Sequence, residues 1–497
     1  MGGPVQRGGL RHGEPSMTVH LVGAGCAGPL WITLEASRLL ESADAVVYDS
    51  LIHPDLLQLA PPGCEFFPAG KRKGRESHGQ AEINRLLVEL GQIKRTVVRL
   101  KGGDPFIFGR GGEEALALER EGVPWSYTPG ITAIGGLGRA GIPPTHRRIA
   151  DSLTLVTGHS AEGEAPRDAL WQALAAMDGT RAVYMGASSW EGLAKRLVRY
   201  GMDPESGCAA VSRAGWGCAS RVNFKLGDPV PPIKSPALIA VGGTASMELS
   251  PAPGPLTGLR AAVVRPFPES WDTARFLEGL GADGFSLPLL RTEELPFEGE
   301  EAFLAEADWV ILTSPRGAGL LAQRMDLRRI RGRVASIGPG TTAALARIGI
   351  RADREARPST SEALAALLSE EIGKGELAVF FRNEAGSPLP EEAVRRAGGR
   401  AANIPAYRMN PSPPPGMERY EELWEETGLD AVIFGSAALV RIWSDLGLRL
   451  PRGAVPVAWG EVCARTIREI LGCSPLVLPE PTPEGLRTVL CRLAKGK

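Results

Sequence analysis

Two glycine-rich runs, each following an apolar stretch, hold many of the chemistry-bearing residues of the first half. Gly23-Ala-Gly25-Cys-Ala-Gly28 satisfies G-x-G-x-x-G, and Asp49 follows 21 residues after Gly28. That spacing suits a dinucleotide site, with a pyrophosphate against bare backbone and an acid on the ribose. A tight strand-to-helix turn satisfies the same pattern, and Asp49 equally suits a general base. The second run, Leu100-Lys-Gly-Gly-Asp-Pro-Phe-Ile-Phe-Gly-Arg-Gly-Gly-Glu-Glu114, encloses Asp104, a possible ligand acceptor or helix cap. Thr128-Pro-Gly-Ile-Thr-Ala133, Gly141-Ile-Pro-Pro-Thr-His-Arg147 and Val183-Tyr-Met-Gly186 follow. Cations gather nearby at Lys71, Lys73, Arg75, Lys101, Arg110, Arg147 and Arg148, able to grip carboxylates or simply to be solvated.

The second half offers different chemistry. His12, His20, His53, His78, His146 and His159 are the six histidines, so the last 338 residues contain none. Ser-His triads and most zinc sites are thereby excluded there. What remains are hydroxyls and glycines before expected helices (Thr313, Ser314, Gly338, Thr341, Ser436, Gly460), a phenol at Tyr407, and the cations Arg265, Arg316 and Arg382. Free N–H groups at such positions suit carboxylates, although plain N-caps explain Ser314 and Ser436 equally well.

Positioning these groups requires alternating strands and helices. Strands are predicted at Val19–Gly23, Ala45–Tyr48, Thr96–Leu100, Ser152–Thr157 and Ala182–Met185, with helices over Leu30–Ser42, Gln80–Leu90 and Glu113–Arg120. Such alternation means α/β architecture with mostly parallel sheets. Leu249–Gly258 (LSPAPGPLTG) breaks the periodicity and reads as a linker that only keeps two halves near each other. Beyond it lies a repeat. Asp308-Trp-Val-Ile-Leu-Thr-Ser314 echoes Asp430-Ala-Val-Ile-Phe-Gly-Ser436 at an offset of 122, which also relates Gly338 to Gly460. Two related lobes follow from this.

The 497 residues are 43% hydrophobic and 23% charged, the mix of a globular enzyme. Lys plus Arg number 56 against 57 acids, too balanced for a general nucleic-acid binder. No run approaches 18 apolar residues, so no membrane span is expected. Seven cysteines without C-x-x-C support neither a disulfide framework nor a zinc ribbon, and a reducing cytoplasm fits. No metal site is expected. Residues 1–16 read as a disordered leader, with Met17 a possible start.

On the motifs quoted from Gly23 to Gly186, residues 17–248 resemble a uroporphyrinogen-III C-methyltransferase of the tetrapyrrole methylase family. The resemblance implies a two-lobed α/β fold, homodimers through this domain, and S-adenosyl-L-methionine held between the lobes. Carried over by motif, it implies cofactor contacts from Cys26, Gly102, Gly103, Asp104, Ile107, Thr132, Ala133, Met185 and Gly215, with Asp49 and Lys71 as acid–base residues. Arg110 and Arg147 would bind the carboxylate-rich tetrapyrrole. The first loop departs from the family, Cys26 standing for a proline and Gly28 for an acid.

Residues 258–497 resemble uroporphyrinogen-III synthase in Thr313-Ser-Pro-Arg-Gly-Ala318, Ser336-Ile-Gly-Pro-Gly-Thr-Thr342, Pro358-Ser-Thr-Ser-Glu362, Ile404-Pro-Ala-Tyr-Arg408 and Pro481-Thr-Pro-Glu-Gly485. That family's topology implies one lobe from about 258–290 with 411–497 and another over 291–410, after a 249–257 linker. Tyr407 would serve a leaving hydroxyl; Arg265, Ser314, Arg316, Thr341, Arg382 and Ser436 would meet the substrate. The combined expectation is a bifunctional enzyme acting on small-molecule tetrapyrroles: ring closure of hydroxymethylbilane, then two methylations to precorrin-2. The other readings are a nicotinamide dehydrogenase on the Gly23 loop, a methylase of a later corrinoid, and a C-terminal half that only binds or regulates.

Overall fold

The computed structural model describes residues 17–69, 79–159, 168–297 and 299–495. The expected leader over 1–16 and Lys71, Lys73 and Arg75 lie outside these. The first sheet is wholly parallel, with β1 (Thr18–Gly23), β2 (Ala45–Tyr48), β3 (Glu65–Pro68), β4 (Thr96–Lys101) and β5 (Trp125–Thr128) in the order β3-β2-β4-β1-β5. Its strands read as continuous apolar runs because both faces are covered. Val19, Leu21, Val47 and Val97 pack under helix Gln80–Ile93, and Val22, Val46, Val98 and Leu100 under helix Leu34–Glu41. The helix expected from Leu30 starts only at Leu34, where Thr33 Oγ1 caps the Ala36 amide; Pro29–Trp31 forms a separate short turn.

The second sheet comprises β6 (Leu153–Thr157), β7 (Thr180–Tyr184), β8 (Gly207–Ser212), β9 (Ser220–Lys225) and β10 (Ala237–Val241), ordered β6-β7-β10-β8-β9 and antiparallel except for β6 with β7.

The repeat of the second half becomes two sheets of matching order. One holds β11 (Arg260–Val264), β12 (Asp283–Ser286), β19 (Ala431–Phe434), β20 (Val455–Ala458) and β21 (Leu476–Val477) as β12-β11-β19-β20-β21. The other holds β13 (Leu290–Glu294), β14 (Trp309–Leu312), β15 (Arg333–Ser336), β16 (Arg354–Glu355), β17 (Leu377–Asn383) and β18 (Arg400–Pro411) as β13-β18-β17-β14-β15-β16. Strands β14, β15 and β16 precede β19, β20 and β21 by 122 residues, and β11 and β12 precede β17 and β18 by 117. Both lobes fasten their central strand alike. Asp430 Oδ2 accepts the Arg260 amide at 2.8 Å, and Asp308 Oδ2 accepts the Leu377 amide at 2.8 Å.

The residues up to Leu289 and from Pro413 onward form one compact unit, and Leu290–Ser412 a second. Within the first unit, the loop after β2 is bonded to the β11-containing sheet through buried polar groups, which the reading of Leu249–Gly258 as a mere tether misses. Asp55, fully buried, accepts from Arg275 Nη2 (2.7 Å), the Ser286 amide (2.8 Å) and Tyr420 Oη (2.9 Å). Gln58 donates to the Ser286 carbonyl at 2.7 Å. Asp283 accepts the Gly217 and Cys218 amides at 2.6 and 2.9 Å. His53 stacks between Trp216 and Phe285, at 5.2 and 5.1 Å.

Candidate functional site

The loops leaving β1, β4 and β5 meet backbone to backbone. Gly25 and Gly103 exchange hydrogen bonds, N–H to O at 3.2 and 2.8 Å, both with positive φ (78° and 70°). A Cβ on Gly130 would overlap the Gly103 carbonyl, and one on Gly23 would overlap Gly130. Only glycine permits this approach. Asp104, 5% exposed, clips the loops together: Oδ1 accepts the Phe106 amide at 2.8 Å, and Oδ2 accepts Tyr127 Oη at 2.8 Å and the Gly130 amide at 3.0 Å. The expected contact from the Asp104 carboxylate therefore competes with three internal donors. Nor does Asp104 cap a helix, since the next one begins at Gly111.

The second sheet brings its own loops to these. Tyr184, at the end of β7, lies 3.0 Å through its hydroxyl from Thr132 Oγ1 and accepts the Ile134 amide at 3.1 Å. It thereby ties Thr132 and Ala133, at the start of helix Ala133–Arg139, to Met185, which is half exposed with φ 53°. The ring of Phe108, next to Ile107, lies 5.0 Å from that of Tyr184. On the other side a Cβ on Gly215 would stand 3.4 Å from Cys26 Sγ, and Trp216 Nε1 donates to the Cys26 carbonyl at 3.0 Å. Burial pushes the Cys26 thiol up to about 11, so it is a neutral packing group. Gly102, Gly103, Ile107, Thr132, Ala133, Met185, Gly215 and Cys26 thus lie on interlocked loops at the strand ends of the two sheets. The sequence marks Tyr127 only by its place before Thr128-Pro-Gly130 and Tyr184 only by its place before Met185-Gly186.

Strand order removes the dinucleotide reading. In that fold the acid ends a strand adjacent to the glycine-loop strand. Here β4 separates β1 from β2, and Asp49 Oδ1 takes Arg99 of β4 at 2.5 Å. No α-helix starts at Gly28 to present its N-terminus to a phosphate, only the three-residue turn Pro29–Trp31. Arg99 also donates to buried Glu114 at 3.0 Å, and Lys101 to the same carboxylate at 2.8 Å. Lys101 Nζ lies 3.8 Å from Asp49 Oδ2. Of the described basic positions expected to meet carboxylates, Lys101 is instead buried on Glu114, Arg110 pairs with Glu113 at 2.6 Å on the surface, and Arg147 and Arg148 are exposed.

The substrate residues expected in the second half divide by environment. Ser314 caps the Gly317 amide at 3.0 Å and Ser436 the Leu439 amide at 3.4 Å, so both hydroxyls act as N-caps. Arg316 is exposed on the first turn of helix Pro315–Arg324. Arg265 bonds Thr273 at 3.1 Å and lies 4.2 Å over the Trp459 ring. Two expectations are corrected. Arg382 is 3% exposed and consumed by Glu391, Asn403 and the Ser387 carbonyl, because a buried guanidinium requires partners. Thr341 is 2% exposed, and its neighbour Thr342 carries the bonded hydroxyl, between Ser336 and Glu355 at 2.6 Å each. Tyr407, 4% exposed, donates to Ser314 Oγ at 2.8 Å.

Residues 18–228 match the tetrapyrrole (corrin/porphyrin) methylases, and residues 272–487 match uroporphyrinogen-III synthase HemD. A uroporphyrinogen-III C-methyltransferase of Paracoccus denitrificans is 43% identical over 235 residues, 46% of this chain and 82% of the relative. A porphyrin biosynthesis protein HemD of Ruminiclostridium josui is 31% identical over 412 residues, 79% of this chain and 81% of that one. A crystal structure of uroporphyrin III C-methyl transferase from Thermus thermophilus is 39% identical with a TM-score of 0.41, covering 46% of this chain and 98% of its own. The chain belongs to the tetrapyrrole methylase family through its first half and to the uroporphyrinogen-III synthase family through its second. Its place is in tetrapyrrole biosynthesis. Among the described residues no helix is long and apolar enough to cross a membrane, and no three His, Cys, Asp or Glu side chains are grouped to hold a metal.

Proposed function

We propose that the second half closes hydroxymethylbilane to uroporphyrinogen III and that the first half methylates this product twice, giving precorrin-2. The observation that carries the methylation reading is the meeting of bare backbone from Gly103 and Gly215 with Thr132, Met185 and Cys26 at the ends of two sheets. This cradle of glycines, whose Asp104 is already paired with Tyr127 and Gly130, fits S-adenosyl-L-methionine, whose sulfonium would supply an electrophilic methyl group. The chain's residues do the rest. Arg110 and Arg147 hold substrate carboxylates. Asp49, kept in place by Arg99, offers Oδ2 to the proton that leaves the pyrrole, with Lys71 as its acid–base counterpart. Orientation in the closed cleft supplies most of the rate.

In ring closure, Tyr407 releases Ser314 and donates to the leaving hydroxyl, while Arg265 and Arg316 hold the flexible polyanion. The enzyme works in the cytoplasm as a homodimer paired through the methyltransferase domain, on small-molecule tetrapyrroles and without nucleic acid.

Freshly made hydroxymethylbilane, supplied with and without S-adenosyl-L-methionine and analysed by product isomer and mass, tests both halves. The expected products are type III uroporphyrinogen without the cofactor and the dimethylated ring with it. Only the spontaneous type I ring would overturn the synthase reading; type III ring that never gains methyl groups would overturn the methylase reading.

A further inference from the structure

Gly28 occupies the cap position of the Pro29–Trp31 turn and has no side chain to satisfy it. The cap comes from far along the chain. Glu278, on helix Glu269–Gly279 after β11, directs Oε1 at this turn, and its carboxyl group accepts the Leu30 amide. A Cβ on Gly28 would overlap that same oxygen. The carboxylate cannot swing aside, since it is 9% exposed and held by Arg275 at 3.1 Å, while Arg275 is anchored on Asp55 at 2.7 Å. The turn continues the loop that carries Cys26, whose thiol faces Gly215.

We infer that Glu278 is a positioning residue for the methyltransferase's cofactor loop: the synthase-family half caps the Gly28 turn from outside, in the space that a side chain at position 28 would fill. The inference rests on the reading that S-adenosyl-L-methionine binds at the Cys26 loop, and it makes cofactor affinity a property of both halves together.

The test is calorimetric titration of the full-length chain with S-adenosylhomocysteine. Glu278→Ala, which removes the cap, is expected to raise Kd about fivefold, the usual effect of losing a cap hydrogen bond. Glu278→Gln keeps the acceptor and the volume, and binds as the parent does. Gly28→Asp alone crowds a second carboxyl group into the space Glu278 fills and weakens binding. Combined with Glu278→Ala, the new aspartate supplies the cap locally and restores Kd to within about twofold of the parent. An unchanged Kd in Glu278→Ala, even with a lowered Tm, would overturn the inference, as would failure of the double variant to recover affinity. If the parent protein itself does not bind S-adenosylhomocysteine, the cofactor reading falls and this inference with it; binding by the parent separates the two failures.

Discussion

Arg99 Nη2 meets Asp49 Oδ1 at 2.5 Å where β4 and β2 end side by side. One oxygen of the carboxylate is thereby oriented and the other left toward Lys101, 3.8 Å away. A base held by one oxygen can accept a proton on the other. Asp49→Asn keeps the shape and removes the base, so kcat for methyl transfer should fall about 100-fold while KM for S-adenosyl-L-methionine changes little. Steady-state kinetics reports this, and an unchanged kcat would remove Asp49 from the mechanism.

The same arginine has a separate structural role. Its Nε bonds Glu114, which is fully buried. Arg99→Met leaves that carboxylate with Lys101 and a longer, 3.4 Å bond from Gln80, and urea denaturation should show a loss of about 3–5 kcal/mol. Glu113→Gln breaks the exposed pair with Arg110 and should cost under about 1 kcal/mol.

Tyr184→Phe deletes the hydroxyl that joins Thr132 and the Ile134 amide. Stability should drop by about 1 kcal/mol, with cofactor Kd rising several-fold because helix Ala133–Arg139 loses its tie to Met185. Loss of stability with unaltered Kd would confine the residue to a packing role.

Glu278 makes stability depend on pH. Burial raises its carboxyl from the ordinary 4.5 to about 8; Arg275 opposes the rise, and Asp55 and Asp283 add to it. Between those values the folded chain keeps a proton that the unfolded chain releases. Its contribution is therefore complete below about pH 4.5 and is lost as pH rises through 8. Measured between pH 5 and 9, the Tm of the parent should fall relative to Glu278→Gln, with a stability slope of at most about 1.4 kcal/mol per pH unit. Parallel curves would contradict it.

In the second half, Arg382→Met should unfold the Leu290–Ser412 unit at lower urea, by about 3–5 kcal/mol, because buried Glu391 is left with only its longer contact to Arg395. Arg265→Ala is the contrasting case. Its ties are to Thr273 and the Trp459 face, so KM for hydroxymethylbilane should rise at least tenfold with a smaller stability change.

Local pattern carried much of this fold. The apolar runs around Val19, Val46 and Val97 marked strands because both faces of their sheet are covered, and the 122-residue echo foretold two lobes with matching sheets. Strand order was invisible, since nothing near Gly23 or Asp49 records that β4 intervenes between their strands. Glycine runs disclosed where loops converge, but not that Asp104 would be occupied by Tyr127 and Gly130. Partners such as Asp55 with Arg275, 220 residues apart, follow no spacing rule, so the polar contact between the halves had no sequence signature.

The interlocked set of Asp55, Gln58, His53, Arg275 and Tyr420 bears on how such a gene can be rearranged. A fission at the Leu249–Gly258 run would uncover stacked rings on one product and strip the partners from a buried carboxylate on the other. Recombination with a stand-alone methylase would likewise need Asp55 and Gln58 to travel with Arg275, Ser286 and Tyr420. The two halves are thus inherited as a single block, and chimeras that ignore this pairing should be recovered as insoluble protein.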